Sequence, residues 1–180
     1  MQLIYIHGYG SNRESRKYVL VEKYFAIYQA SCVEWTPETD FSTWLMQGHP
    51  AVEQEETLLL IGDSTGANFA YQWKEKRKAQ GLQTILILLS PLLSYSHRLN
   101  KDLVFTPNLK NSLLDIPTPE DAFLLIGKQD ETLDLQALNP YQCANSEVLY
   151  IEDSHRLPLF EQYLPLLADY VERQRLILAK

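Results

Sequence analysis

The sequence predicts a three-layer α/β/α sandwich built on a parallel sheet, within one domain of 180 residues. Short apolar runs recur along the chain, and the segments between them are long enough for crossover helices. Most of the runs are continuous rather than alternating, as in parallel strands that are covered on both faces. Six strands are therefore expected, at residues 3–6, 32–35, 57–61, 84–89, 122–126 and 147–151.

Polar capping residues and a glycine mark the ends of the expected helices. Ser11 and Glu14 have the spacing of a capping box, which predicts that the first helix begins directly after Ser11. A longer helix is expected from near Thr65 to about residue 80, where Gly81 ends it. The order of strand and helix signals is that of successive βα units.

The composition restricts the function classes. A net charge of −7 argues against nucleic acid or an anionic membrane as a partner, since both require clustered basic residues. Cys32 and Cys143 lie far apart, so neither a disulfide framework nor a metal site is indicated. The first strand begins by Leu3 and no apolar run reaches the roughly 18 residues of a membrane span. We therefore expect a cytoplasmic protein that needs no metal or organic cofactor.

An apolar run ends in the pattern Gly-x-Ser-x-Gly at Gly62, Ser64 and Gly66, and small residues follow. A strand, a sharp turn and a helix start in this order are typical of a nucleophile elbow. The serine of such an elbow has a strained backbone, so the residues two before and two after it must lack bulk. Ser64 is therefore the candidate nucleophile.

A serine attacks only when a base takes its proton, and that base is most often a histidine. His155 comes directly after the last predicted strand and is the candidate base. His97, beside Arg98, lies in a long connection and is expected at the surface. His7 precedes a glycine turn and is expected to organise that loop rather than to react.

The histidine base needs an acidic partner, and that acid is expected directly after a strand. Asp130 stands in the turn after the fifth predicted strand, where the acid is expected. Asp134 is the main alternative, although it could instead cap a helix reaching to about residue 143. Glu131 and Asp153 remain possible acids from their positions in the sequence.

Backbone N–H groups near the serine are needed to stabilise an oxyanion. Thr65 follows the nucleophile and is expected to supply one. The second is expected from Tyr9, in the glycine-containing loop after the first strand, with Gly10 as the alternative.

The connection at about residues 91–118 contains several prolines and is expected to form a short lid-like excursion over the sheet. Ligands of such sheets bind beyond the carboxyl ends of the strands, where this excursion begins. Leu92, Leu93 and Tyr95 are therefore candidate pocket residues, with Tyr9 and Phe105 as further apolar candidates.

Four segments together resemble the small YqiA/YcfP-like esterases of the α/β-hydrolase superfamily, over nearly the whole chain. They are residues 7–12 (HGYGSN), 62–66 (GDSTG), 127–134 (GKQDETLD) and 153–155 (DSH) followed by 160–163 (FEQY). The elbow differs from the family's Gly-Ser-Ser-Leu-Gly-Gly at Asp63, Thr65 and Ala67. The family's Gly-Gly-Asn-His becomes Glu-Asp-Ser-His, ending at His155.

The resemblance implies a minimal α/β-hydrolase fold with about six parallel strands in the order 2-1-3-4-5-6. It also implies a serine esterase with nucleophile Ser64, acid Asp130 and base His155. Because the excursion is short, we expect a small-molecule acyl ester as the substrate. A thioesterase, another acyl hydrolase or a silent binding protein on the same scaffold are the alternatives. The oligomeric state is not indicated by the sequence.

Overall fold

The computed structural model describes residues 1–41, 43–44, 55–135, 138 and 142–179. Its strands are β1 (Gln2–Ile6), β2 (Gln29–Val33), β3 (Thr57–Asp63), β4 (Gln83–Leu89), β5 (Phe123–Gly127) and β6 (Glu147–Ile151). Its α-helices are α1 (Arg16–Tyr24), α2 (Thr65–Ala79), α3 (Pro107–Ser112) and α4 (Leu164–Leu178). The strands form one parallel sheet in the order β2-β1-β3-β4-β5-β6. The predicted α/β-hydrolase fold class and strand order are confirmed.

The continuous apolar runs are explained by two separate cores, one on each face of the sheet. In β3, Leu58 and Leu60 belong to one core, while Leu59 and Ile61 belong to the other. Successive side chains of a strand point to opposite faces, so a strand between two helical layers needs apolar residues throughout. Helix α2 packs against the first core, and α1 and α4 pack against the second.

The excursion after β4 contains a short 3₁₀ turn at Tyr95–His97 and the helix α3. Thr106 caps α3 by accepting a hydrogen bond from the Leu109 N–H, and Pro107 occupies the first turn. Leu109 is buried in the same core as α2. The excursion is therefore packed onto the sheet rather than extended into solvent.

The predicted bounds of two elements, β2 and α1, are wrong, and polar contacts compete with the regular element in each. Strand β2 ends at Val33, because the Trp35 indole N–H donates to the His7 carbonyl at 2.8 Å and draws the chain out of the sheet. Helix α1 is capped by Ser15 rather than Ser11. The Ser11 N–H donates to the Gly8 carbonyl at 3.1 Å, so Ser11 belongs to the preceding turn.

Helix α2 agrees with the expected span, and Gly81 follows it with a positive φ of 75°. The helix expected from Asp134 to about residue 143 falls largely outside the described residues. Asp134 and Leu135 themselves are not helical. Within the described residues, no helix has both the length and the apolar character needed to cross a bilayer.

Candidate active site

The sharp turn between β3 and α2 places Ser64 at the carboxyl edge of the sheet. Ser64 has a φ of 52° and a ψ of −116°, a backbone conformation that residues other than glycine rarely adopt. Its N–H donates to the Leu89 carbonyl at 2.9 Å, and its carbonyl accepts from the Leu92 and Ala67 N–H groups at 3.0 Å each. These bonds hold the strained residue in place.

The two glycines beside the turn are required by close backbone contacts. A Cβ on Gly66 would lie 2.2 Å from the Ile6 carbonyl oxygen, on the neighbouring strand. A Cβ on Gly62 would lie 2.5 Å from the Ala67 Cα in α2. Both separations are far below van der Waals contact, so no larger residue fits without moving the backbone.

A hydrogen-bonded chain joins three side chains that are distant in the sequence. The His155 Nε2 lies 3.0 Å from the Ser64 Oγ, and the His155 Nδ1 lies 2.8 Å from the Asp130 Oδ2. A carboxylate can only accept, so Nδ1 donates to Asp130, and in the neutral imidazole with this tautomer Nε2 accepts from the serine hydroxyl. The arrangement is the one needed to activate a serine.

The turn after β5 holds the Asp130 carboxylate in position. Its Oδ1 accepts from the N–H groups of Thr132 and Leu133, both at 2.8 Å, which leaves Oδ2 for His155. The Asp130 side chain is only 4% exposed, so little water competes for these bonds.

The alternative acids have other contacts. Glu131 accepts from the backbone N–H of His155 at 3.1 Å. Asp153 accepts from the N–H groups of Ser154 and Leu159. The structure therefore places Asp130, among the acids considered, against the imidazole of His155.

The loop after β1 passes directly over the serine. A Cβ on Gly8 would lie 3.2 Å from the Ser64 Cβ. The Gly8 carbonyl accepts from Ser11 N–H and lies 2.8 Å from the His7 Nδ1, so His7 organises this loop. Among the described residues, none accepts a hydrogen bond from the N–H of Tyr9, Gly10 or Thr65. Backbone donors are thus available at this edge of the sheet.

A cavity of about 590 Å³ opens over Ser64. Leu92, Tyr9 and Phe105 line it as expected, and the Tyr9 and Phe105 rings stack with centroids 4.9 Å apart. Two other expectations need correction. Leu93 is fully buried in the core beneath the cavity, and Tyr95 packs edge-on against Phe105 instead of lining the cavity.

Basic residues that the sequence analysis did not assign to the site also line the cavity: Arg16, Lys17, Arg98 and Arg156. His97, expected at the surface, is half-buried, and its neighbour Arg98 is only 5% exposed. Arg98 packs on the rings of Tyr95 and Phe105, which lie on either side of it in the sequence. Because arginine often packs on aromatic faces, these two residues were the sequence signal for its burial.

Lys17 forms an ion pair with Asp63, the residue before the serine, at 2.5 Å. Both side chains are nearly buried, with 11% and 8% of their surface exposed. Burial, together with the negative charge of Asp63, raises the pKa of the Tyr5 phenol well above its usual value. The Tyr5 phenol therefore stays protonated and neutral beside the Lys17–Asp63 ion pair.

No group of three or more metal-binding side chains occurs among the residues that the structure describes.

Comparison with solved structures places the chain in the fold class of the α/β hydrolases. Mouse α/β hydrolase domain-containing protein 10 has a TM-score of 0.71 and 17% identity, covering 96% of this chain and 90% of its own. Est1E from Butyrivibrio proteoclasticus has a TM-score of 0.67 and 17% identity, covering 99% and 88%. Human thioesterase 2 has a TM-score of 0.61 and 14% identity, covering 94% and 93%.

A family model matches residues 2–172, and it describes the uncharacterised protein family UPF0227. The chain belongs to this family. The match agrees with the resemblance to YqiA-like proteins drawn from the sequence motifs. A comparison with curated proteins gave no match.

Proposed function

We propose that this protein is a serine hydrolase that cleaves small carboxylic esters through an acyl-enzyme intermediate. The main support for this proposal is the continuous hydrogen-bonded chain from Asp130 through His155 to Ser64. A strained serine at a strand-to-helix turn, with a base and an acid in line, is the arrangement that acyl transfer requires.

In the proposed first step, the His155 Nε2 takes the proton of Ser64 as its Oγ attacks the ester carbonyl. The negative charge on the resulting tetrahedral oxygen is stabilised by the N–H groups of Thr65 and Tyr9. Each such donor typically contributes about 2.7–4 kcal/mol to the transition state. When the intermediate collapses, the protonated His155 gives its proton to the leaving alcohol.

In the second step, His155 takes a proton from water, and the hydroxide attacks the acyl group on Ser64. Collapse of this second intermediate releases the carboxylic acid and returns the proton to the serine oxygen. Asp130 stays ionised throughout and orients the imidazole by accepting from Nδ1.

Thioester hydrolysis is the second candidate function, since the same tetrahedral intermediate forms from a thioester. The similarity of the fold to that of human thioesterase 2 supports this second candidate. A panel of matched esters, thioesters and amides with acetyl, butyryl and longer acyl groups separates these substrates. The proposal expects acetyl or butyryl esters to be hydrolysed faster than long-chain ones, because the cavity of about 590 Å³ is modest.

A fluorophosphonate probe tests the proposal without knowledge of the natural substrate. We expect the parent protein to be labelled, and labelling to disappear in Ser64→Ala and to fall strongly in His155→Ala. Ser11→Ala is the matched control, because Ser11 lines the same cavity and contacts neither His155 nor Asp130. An unlabelled but folded parent protein would contradict the proposal and indicate a silent binding protein.

A further inference from the structure

The cavity over Ser64 contains more positive charge than the rest of the chain would suggest. The whole protein carries a net charge of −7, yet four basic side chains line this cavity and Asp63 is the one carboxylate in its described lining. Asp63 is paired with Lys17. The charges of Arg16, Arg98 and Arg156 are therefore left without a balancing carboxylate in the cavity.

Arg98 is the most deeply placed of these residues, with 5% of its surface exposed. Its guanidinium lies 4.1 Å from the centre of the Phe105 ring and 4.9 Å from that of Tyr95. It donates to the carbonyls of Asn100, at 3.0 Å, and Leu103. No carboxylate among the described residues forms an ion pair with it. Buried charges are usually paired, so a positive charge held this way favours an anion from outside.

The position of Arg98 relative to the reacting groups is fixed by backbone hydrogen bonds. The chain at Arg98 pairs in an antiparallel bridge with Leu133. The Leu99 N–H donates to the Thr132 carbonyl at 2.8 Å, and Thr132 N–H in turn donates to Asp130 Oδ1. A ligand group held by Arg98 is thereby placed at a defined distance from His155 and Ser64.

We propose that the substrate is an ester that carries a carboxylate, and that Arg98 binds this carboxylate while Arg16 and Arg156 attract it. The proposal rests on the proposed function, because it names the substrate class of the same site. A planar guanidinium presents paired N–H donors that match the two oxygens of a carboxylate. One buried positive charge is balanced by one negative charge, which favours a carboxylate over a doubly charged phosphate.

The kinetic test compares esters that differ only in the anionic group. The p-nitrophenyl monoester of adipic acid is compared with p-nitrophenyl hexanoate, which has a methyl group in place of the carboxylate. A second pair places the carboxylate on the alcohol, as 3-carboxy-4-nitrophenyl hexanoate against p-nitrophenyl hexanoate. We expect kcat/KM to be at least about tenfold higher for the charged ester in one pair, and the preference to shrink with added salt.

Variants assign the preference to Arg98. At a salt concentration that screens the exposed Arg16 and Arg156, the ratio of kcat/KM for charged to neutral ester should fall to about one in Arg98→Gln and take an intermediate value in Arg98→Lys. Arg16→Gln and Arg156→Gln change exposed side chains of the same cavity. They replace Arg98→Gln as the test if that variant does not fold. Each should lower the ratio about twofold at low salt. Arg13→Gln is the control, because Arg13 lies outside the cavity lining, and its ratio should equal that of the parent.

The failure of this proposal and that of the proposed function give different results. If p-nitrophenyl hexanoate is hydrolysed and neither charged ester is preferred, the carboxylate proposal is overturned and the hydrolase proposal stands. If no ester is hydrolysed, calorimetry compares binding of the monoanilide of adipic acid with that of hexananilide. Tighter binding of the charged amide, lost in Arg98→Gln, would support the carboxylate site alone, and equal binding of both amides would overturn it.

Discussion

The Ser64 side of the candidate site and its His155 side are held in place by different means. The Ser64 side, which we call the elbow (residues 62–66), is part of one strand-turn-helix unit and is fixed by close backbone packing at its two glycines. The His155 side, which we call the acid–base loops (residues 128–134 and 152–157), consists of two loops that are distant in the sequence.

Hydrogen bonds join these two loops to each other. The Gln129 N–H donates to the Asp153 carbonyl at 3.0 Å, and the His155 N–H donates to the Glu131 carboxylate at 3.1 Å. Backbone packing tolerates no added atom, whereas hydrogen bonds between loops can be removed one at a time. Added bulk at the elbow glycines should therefore cost folding stability, and changes in the acid–base loops should cost activity.

The largest expected effect is the loss of activity in Asp130→Asn. The amide keeps an oxygen for Thr132 N–H and Leu133 N–H, so the loop should stay folded. It can no longer bind the Nδ1–H tautomer as a carboxylate does, and kcat should fall about 10⁴-fold. Ester hydrolysis is measured beside thermal unfolding, with Asp134→Asn as the control. A loss of less than tenfold, or an equal loss in the control, would assign the acid elsewhere.

A stability loss without any change of reacting groups is expected for Gly66→Ala. The new Cβ would meet the Ile6 carbonyl at 2.2 Å, and the shift of the strand or helix should cost about 3 kcal/mol. The melting temperature should fall by roughly 6–12 °C.

The matched control for Gly66→Ala is Gly81→Ala, where no atom lies within 4 Å and only the positive φ opposes a side chain. That control should cost about 1 kcal/mol. Equal losses in the two variants would show that backbone packing does not distinguish the elbow.

Breaking the ion pair beside the serine should have a smaller effect on stability. Lys17→Met leaves the nearly buried Asp63 carboxylate without its partner, at a cost of about 2 kcal/mol in the free energy of unfolding. Urea unfolding measures this cost. The double variant Lys17→Met with Asp63→Asn should recover most of it, since no unpaired charge remains. A double variant that is no more stable than Lys17→Met would contradict the pairing.

The smallest expected effect is that of Glu131→Ala in the acid–base loops. Loss of the exposed hydrogen bond to the His155 N–H should lower kcat about threefold and leave thermal unfolding almost unchanged. Glu152→Ala is the control, because Glu152 contacts Lys128 and Gln129 but not His155. If Glu131→Ala lowers stability as much as Gly66→Ala does, the contrast between the two sides of the site does not hold.

The difference between the two sides also explains what could be predicted from the sequence. The elbow was predictable because its strand, turn and helix are consecutive in the sequence, although the close contact of Gly66 is with Ile6 on another strand. The choice of Asp130 over Asp134 could not be made from spacing alone, because both follow the same strand. It depends on the turn that Asp130 itself holds through Thr132 and Leu133.

Errors in the predicted fold have the same origin. The end of β2 was misplaced because Trp35 interacts with His7, which precedes it by many residues in the sequence. The burial of Arg98 was not predicted, because the aromatic rings that cover it are brought together only by the folded excursion. Leu93 and Tyr95 lie outside the cavity lining because one is buried in the core and the other packs against Phe105.

The sequence by itself determined the parallel sheet, its strand order through the resemblance, and the strained serine between two glycines. These features follow from apolar runs and local steric limits, which are written in consecutive residues. Only the tertiary structure decided which carboxylate meets His155, and that Lys17, Arg16, Arg98 and Arg156 surround the serine. Such contacts join loops far apart in the chain, and their distances depend on how the whole sheet and its two helical layers pack.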